Sequence, residues 1–76
     1  MEEKMLTQLR DKQSAVVKEV RGGMGVSRRL EALGIRPGKR IHLISSHFWG
    51  GPVTVLVDKT KVAIGRGMAQ KIIVEE

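Results

Sequence analysis

Residues 14 to 20 read SAVVKEV, a β-branched run that ends on Arg21-Gly22-Gly23. Such a run bounded by glycine is the pattern of a strand followed by a turn. Val16 and Val17 are adjacent, which breaks strict two-residue alternation. One of the two valines is therefore expected on a second, partly covered face. Val26, Leu30 and Leu33 follow at i, i+4 and i+7, the spacing of one helical face. Gly34 stands where a left-handed cap residue belongs, and Ile35 is placed to fold back on Leu30. Pro37 stops continuation, and Pro37-Gly38 makes a second turn. A start at Ser27 would set Arg28 and Arg29 at the positive end of the helix dipole, so the pattern favours a start near Gly25.

The rest of the chain has the pattern of strands. Arg40–Ser46 places Ile41 and Leu43 on one face. Val53–Val57 places three valines on one face and Thr54 and Leu56 on the other. SHFWGG lies between them, and its Gly50-Gly51 marks a hairpin link, with Pro52 opening the second strand. Residues 58–61, DKTK, read as a polar turn, 62–64 as a short strand, 65–70 as a turn or single helical turn, and 71–75 as a last strand. The total is about five short strands and one short helix after the first strand. No repeated helical crossovers separate the strands, which excludes a parallel doubly wound sheet. A helix of about two turns is marginal alone and needs a surface to lie on. Closing the sheet on itself would hide its edges and enclose a core. The expected fold is all-β: a small barrel whose open end is covered by Val26, Leu30 and Leu33, with the arginines outside.

Length agrees with this economy, since 76 residues allow a single domain over 1–76, near the lower limit for one self-sufficient core. There is no cysteine, so neither a disulfide nor a thiolate metal site can staple it. MEEKML lacks the apolar run of a signal peptide. No stretch approaches the roughly 20 apolar residues of a membrane span. A cytoplasmic location is expected. No internal repeat or low-complexity segment is present.

Charge narrows the choice of partner. The net charge is +6, yet four of the eight acids sit at the tips as Glu2, Glu3, Glu75 and Glu76. Residues 4–74 carry fourteen basic and four acidic side chains, a net of +10. Such a body attracts an acidic protein face, nucleic acid or an anionic membrane surface. Arg28, Arg29, Arg36, Lys39 and Arg40 cluster around the helix and its following turn, with Glu31 as the one local acid. Arg28 and Arg29 lie off the Val26, Leu30, Leu33 face, as docking would require. Phe48 and Trp49 are the only aromatics and sit beside the hairpin link. Phe48 suits a cap on the barrel end, whereas Trp49 suits a contact anchor.

Chemistry in the narrower sense is sparse. Gly23-Met24-Gly25 lies between strand and helix, as in a dinucleotide fingerprint, but Arg28 occupies the third glycine position. GIRPGKR, 34–40, has the wrong spacing for a phosphate loop, and Arg40 replaces the hydroxyl residue. His42 and His47 are five apart and would face opposite sides of a regular strand. No acid lies between Glu31 and Asp58 to complete a metal site with them. No Ser-His-Asp or cysteine nucleophile set can be assembled. Neither an enzyme, a metal site nor a cofactor is expected.

The order of these pieces is similar to one known family. Arg29-Leu30, Leu33-Gly34-Ile35, Pro37-Gly38, Ile41 and Leu43-Ile44 match its core pattern. Gly51-Pro52-Val53, Val62-Ala63-Ile64, Met68-Ala69 and Ile72-Ile73-Val74 follow in its order. Over residues 6–75 the chain resembles the FeoA family, small cytosolic proteins of ferrous iron transport. The resemblance implies an SH3-like barrel and a non-catalytic accessory role beside FeoB, a membrane ferrous-iron transporter with a cytosolic G-protein domain. A related SH3-like domain ends some metal-dependent repressors. Family members often carry Pro-Gly before the first strand; here 9–13 reads LRDKQ, so a looser turn is expected. The expected partner is the FeoB G-protein domain, with Arg28, Arg29, Arg36, Lys39, Arg40 and Trp49 as the docking residues. Weak self-association is compatible with this reading, and membrane insertion is not. Two rivals remain open: a basic barrel binding nucleic acid, and a transition-metal sensor using His42 or His47. Against the first, neither aromatic lies on a strand face as a stacking platform should.

Overall fold

The computed structural model describes residues 2–46 and 51–76. In chain order it runs β1 (Glu3–Met5), a 3-10 turn (Leu6–Gln8), β2 (Ser14–Val20), α1 (Gly23–Ala32), β3 (Arg40–Ser46), β4 (Val53–Val57), β5 (Thr60–Ile64), α2 (Arg66–Ala69) and β6 (Ile72–Glu75). The strands form one antiparallel sheet in the order β1-β6-β2-β3-β4-β5. Six strands replace the expected five, and α1 follows the second strand instead of the first. The added strand, β1, spans only three residues and exists through its pairing with β6, Lys4 opposite Val74.

The sheet curls. Its Cα envelope measures 28 × 27 × 22 Å, whereas a flat layer would be far thinner than wide, since packed layers lie only about 10 Å apart. Inward side chains of β2 to β6 join Leu6, Leu9, Leu30, Ile35 and Ala69 in one buried cluster. Two bulges help to bend the sheet. One lies between Val17 and Glu19 against β6, the other between Leu43 and Ser45 against β4. The adjacent valines divide as the broken alternation suggested: Val17 is buried in the core and Val16 half-buried on the outer face.

The stop at the end of α1 has a clear cause. Gly34 takes φ +88°, the left-handed region where a Cβ is penalised. Its N–H donates to Glu31 O at 2.9 Å, and Ile35 N–H donates to Leu30 O at 2.9 Å. This is the double bond pattern of a Schellman cap, which satisfies carbonyls that the helix leaves without partners. Leu30 and Ile35 are both fully buried. Leu33 departs from expectation at 39% exposed, while Val26 is half-buried against the core. The cap turns the chain after Ala32, so Leu33 leaves the helical face and Ile35 takes its place inside. At the other end α1 begins at Gly23, two residues before Gly25, and Gly22 at φ +101° forms the cap with no side-chain hydrogen bond.

The second turn serves a different purpose. Lys39 N–H donates to Arg36 O at 3.1 Å around Pro37 and Gly38, with Gly38 at φ +91°. Gly38 N–H then donates to Val17 O, and Val17 N–H to Lys39 O, both at 2.8 Å. The first signal ends the helix, and the second fastens the chain to β2 before β3 begins.

Two more turns differ from expectation. The turn before β2 is closed by Gln13 N–H to Arg10 O at 3.1 Å and by Arg10 N–H to Gln13 Oε1 at 2.8 Å, so it is not loose. The β4–β5 link is a two-residue turn at Asp58 and Lys59, with positive φ at both, and β5 starts at Thr60.

Candidate docking surface

The six expected docking residues do not form one patch. Arg28 and Arg29 are exposed on α1. Neither has a hydrogen bond or ion pair among the described residues. Arg36 is exposed beyond the Schellman cap and lines a cleft with Ser27 and Glu31 of α1 and Glu19 of β2. The three arginines do not share one face of the shoulder that α1 makes on the barrel: Arg29 stands beside Gly22, Gly25 and Val26, and Arg36 on the opposite flank beside Ser27 and Glu31. Lys39 turns elsewhere: its Nζ lies 2.6 Å from Asp58 Oδ2, tying the turn before β3 to the β4–β5 turn. Arg40 stands on the outer sheet face opposite Val16, in a cleft with Lys18, Glu75 and Glu76. Trp49 lies outside the described residues, as do Phe48 and His47.

Two exposed apolar residues extend the shoulder. Met24 is 68% exposed and Leu33 is 39% exposed. Met24 lies four residues before Arg28 and neighbours it along the helix surface, while Leu33 follows the last helical residue. Sequence reasoning assigned Leu33 to the core and passed over Met24. The i, i+4 spacing from Met24 to Arg28, off the core stripe, was the available signal. Arg29 also rims a notch formed with Gly22, Gly25, Val26 of α1 and Met68 of α2.

The acids at the chain tips are gathered around two lysines. β1–β6 pairing sets Glu3 directly opposite Glu75. Lys4 Nζ lies 2.9 Å from Glu76 Oε1 and 3.6 Å from Glu2 Oε1. Lys18 pairs with Glu3, and also with Glu75 at 3.6 Å. The hydrogen bond to Glu76 holds the Lys4 ammonium above the ordinary lysine range, and the bond to Glu3 does the same for Lys18.

His42 Nδ1 lies 2.8 Å from Ser14 Oγ across the β2–β3 pairing. The β3 register shifts between Leu43 and Ser45, after His42, and the placing of the two histidines relative to each other lies outside the described residues. Among the described residues, no three His, Cys, Asp or Glu side chains come together as a metal-holding group. No helix among them is long and apolar enough to cross a membrane.

Three comparisons bear on this geometry. A relative named Fe(2+) transport protein A in Methanocaldococcus jannaschii is 36% identical over 64 residues, covering 84% of this chain and 76% of its own. A crystal structure described as the iron uptake regulatory protein FeoA superposes with a TM-score of 0.89 at 25% identity, over 99% of this chain and 97% of that one. A manganese-dependent transcriptional repressor shares the fold, with a TM-score of 0.86 at 23% identity. It covers 95% of this chain, which matches only 40% of the repressor. The mostly-strand sheet with its short capped helix is thus the SH3-like architecture of FeoA structures. The FeoA domain family matches residues 4–76, and the chain belongs to that family.

Proposed function

We propose that this protein is a non-catalytic accessory of ferrous iron uptake that docks on the cytosolic part of the FeoB transporter and modulates it. The observation that carries this reading is membership of the FeoA domain family over residues 4–76. The reading favours the α1 shoulder as the docking place. Arg28, Arg29 and Arg36 sit on the α1 shoulder, where a positive surface steers association with an acidic partner. Trp49 supplies the aromatic anchor. Lys39 holds the Asp58 turn, and Arg40 lies beside Glu75, so both contribute less to steering than the shoulder does.

The test is association with the transporter's soluble G-protein domain. Reversal of Arg28 and Arg29 to glutamate should slow association in low salt, and added salt should shrink the difference. Association indifferent to both reversal and ionic strength would remove the shoulder from the interface. No association with the G-protein domain at all would remove that partner.

A further inference from the structure

Gly25 occupies the third position of a ten-residue helix, where glycine is a weak helix former. Nothing in the fold explains its missing side chain. Its φ lies outside the positive region, and a Cβ built there meets no atom within 4 Å. Gly22 and Gly34, by contrast, sit at positive φ, where any side chain would be strained. What the bare backbone at Gly25 does is leave open the notch between α1 and α2. That notch is about 290 Å³, below the range of most small-molecule sites but suited to one large side chain. Its floor is apolar: Val26 and Met68 are half-buried and packed against the core.

The surroundings are cationic. Arg29 lines the notch, and Arg28 is the exposed residue before it. The Lys71 side chain lies across Gly22, its Cδ 2.6 Å from where a Cβ would be. None of the three has a side-chain hydrogen bond or ion pair among the described residues, and no carboxylate lines the notch. An apolar floor with unpaired cations at its rim complements an acidic segment carrying one apolar side chain.

We propose that the notch between α1 and α2 receives an apolar anchor from an acidic segment of a partner protein, with Arg29 and Lys71 pairing the flanking carboxylates. The proposal deepens the docking reading and rests on it for the partner's identity, while the place and chemistry rest on the notch itself.

The test uses the full chain, labelled with ¹⁵N, and a short synthetic peptide of aspartate and glutamate around a single central leucine. Amide shifts should centre on Gly25, Val26 and Met68. Gly25→Gln should weaken the peptide about tenfold by filling the notch. It adds a side chain in open space and raises helix propensity, so its thermal midpoint should equal or exceed the parent's. Gly25→Ala should give an intermediate loss. Arg29→Glu should abolish binding, and Arg40→Glu should leave it intact. A peptide with serine in place of leucine should not bind. Absent shifts, shifts centred on the Arg40 cleft, or undiminished affinity in a folded Gly25→Gln variant would overturn the proposal. So would preference of the same face for anionic vesicles, or concentration-dependent self-association that Gly25→Gln abolishes. Competition and association separate the two readings: peptide binding at the notch, with no association of the G-protein domain, sustains this proposal and overturns that partner.

Discussion

At the joined chain ends, Lys4 and Lys18 reach four carboxylates; on α1, Arg28 and Arg29 reach none among the described residues. The difference comes from register. Antiparallel β1–β6–β2 pairing brings Glu3 against Glu75, and like charges directly opposite destabilise a sheet unless cations lie between them. Lys4 and Lys18 supply those cations. Among the described residues no element presents acids within ion-pair distance of the two arginines of α1, and their side chains are exposed. Charge at the termini therefore serves the ladder, and charge on the shoulder is available to a partner.

The shoulder depends on a buried hinge as well as on its exposed charge, and the hinge is where the largest effect is expected. Leu30→Ala would remove a fully buried side chain at the start of the Schellman cap. It should destabilise the protein by about 3 kcal/mol in urea unfolding. A loss under about 1 kcal/mol would mean that α1 is not anchored through Leu30. Gly34→Ala comes next. Its φ of +88° strains any Cβ, and the new atom would lie 3.4 Å from Val57 Cγ1. About 1–2 kcal/mol should be lost.

Reversal of both Arg28 and Arg29 to glutamate should sharpen the contrast by changing stability little, within about 0.5 kcal/mol, because neither residue has a native partner to lose. A larger loss in urea midpoint would show that the shoulder's charge is structural after all. The smallest effect belongs to the terminal ladder. The raised Lys4 and Lys18 values mean that their stabilisation is fully present below the ordinary lysine pKa and fades as pH rises through the folded values. Urea midpoints should therefore fall slightly further on the alkaline side in the parent than in a Lys4→Met, Lys18→Met variant. Parallel pH profiles for the two proteins would show that these exposed pairs contribute nothing measurable.

Much of the fold was legible in local pattern. The bounds of β2, β3 and β4, the α1 stop at Gly34 and the Pro37-Gly38 turn each follow from a residue's own backbone preference or from period-two burial. β1 was not legible, because three residues carry no periodicity and become a strand only by pairing with a segment some 70 positions away. Leu33 left the core for a related reason. Helical spacing treats position 33 as one more turn of the stripe, but the left-handed residue after it rotates the chain and sends Ile35 inward.

The candidate site was less legible than the fold. Five cations close in sequence looked like one surface, and the structure sends them to three surroundings: the shoulder, the Asp58 turn and the Glu75 cleft. The notch at Gly25 had no sequence signal beyond a glycine in a helix, since Met68 arrives from α2. By itself, the order of apolar, glycine and proline positions determined a small all-β barrel with one short capped helix and an excess of positive charge, and the resemblance to the FeoA family implied its SH3-like form. Only the tertiary structure decided which of those charges are neutralised and which stay open. Backbone preference is local and can be read along the chain, whereas ion pairing falls off within a few ångströms and depends on which distant segments are brought together.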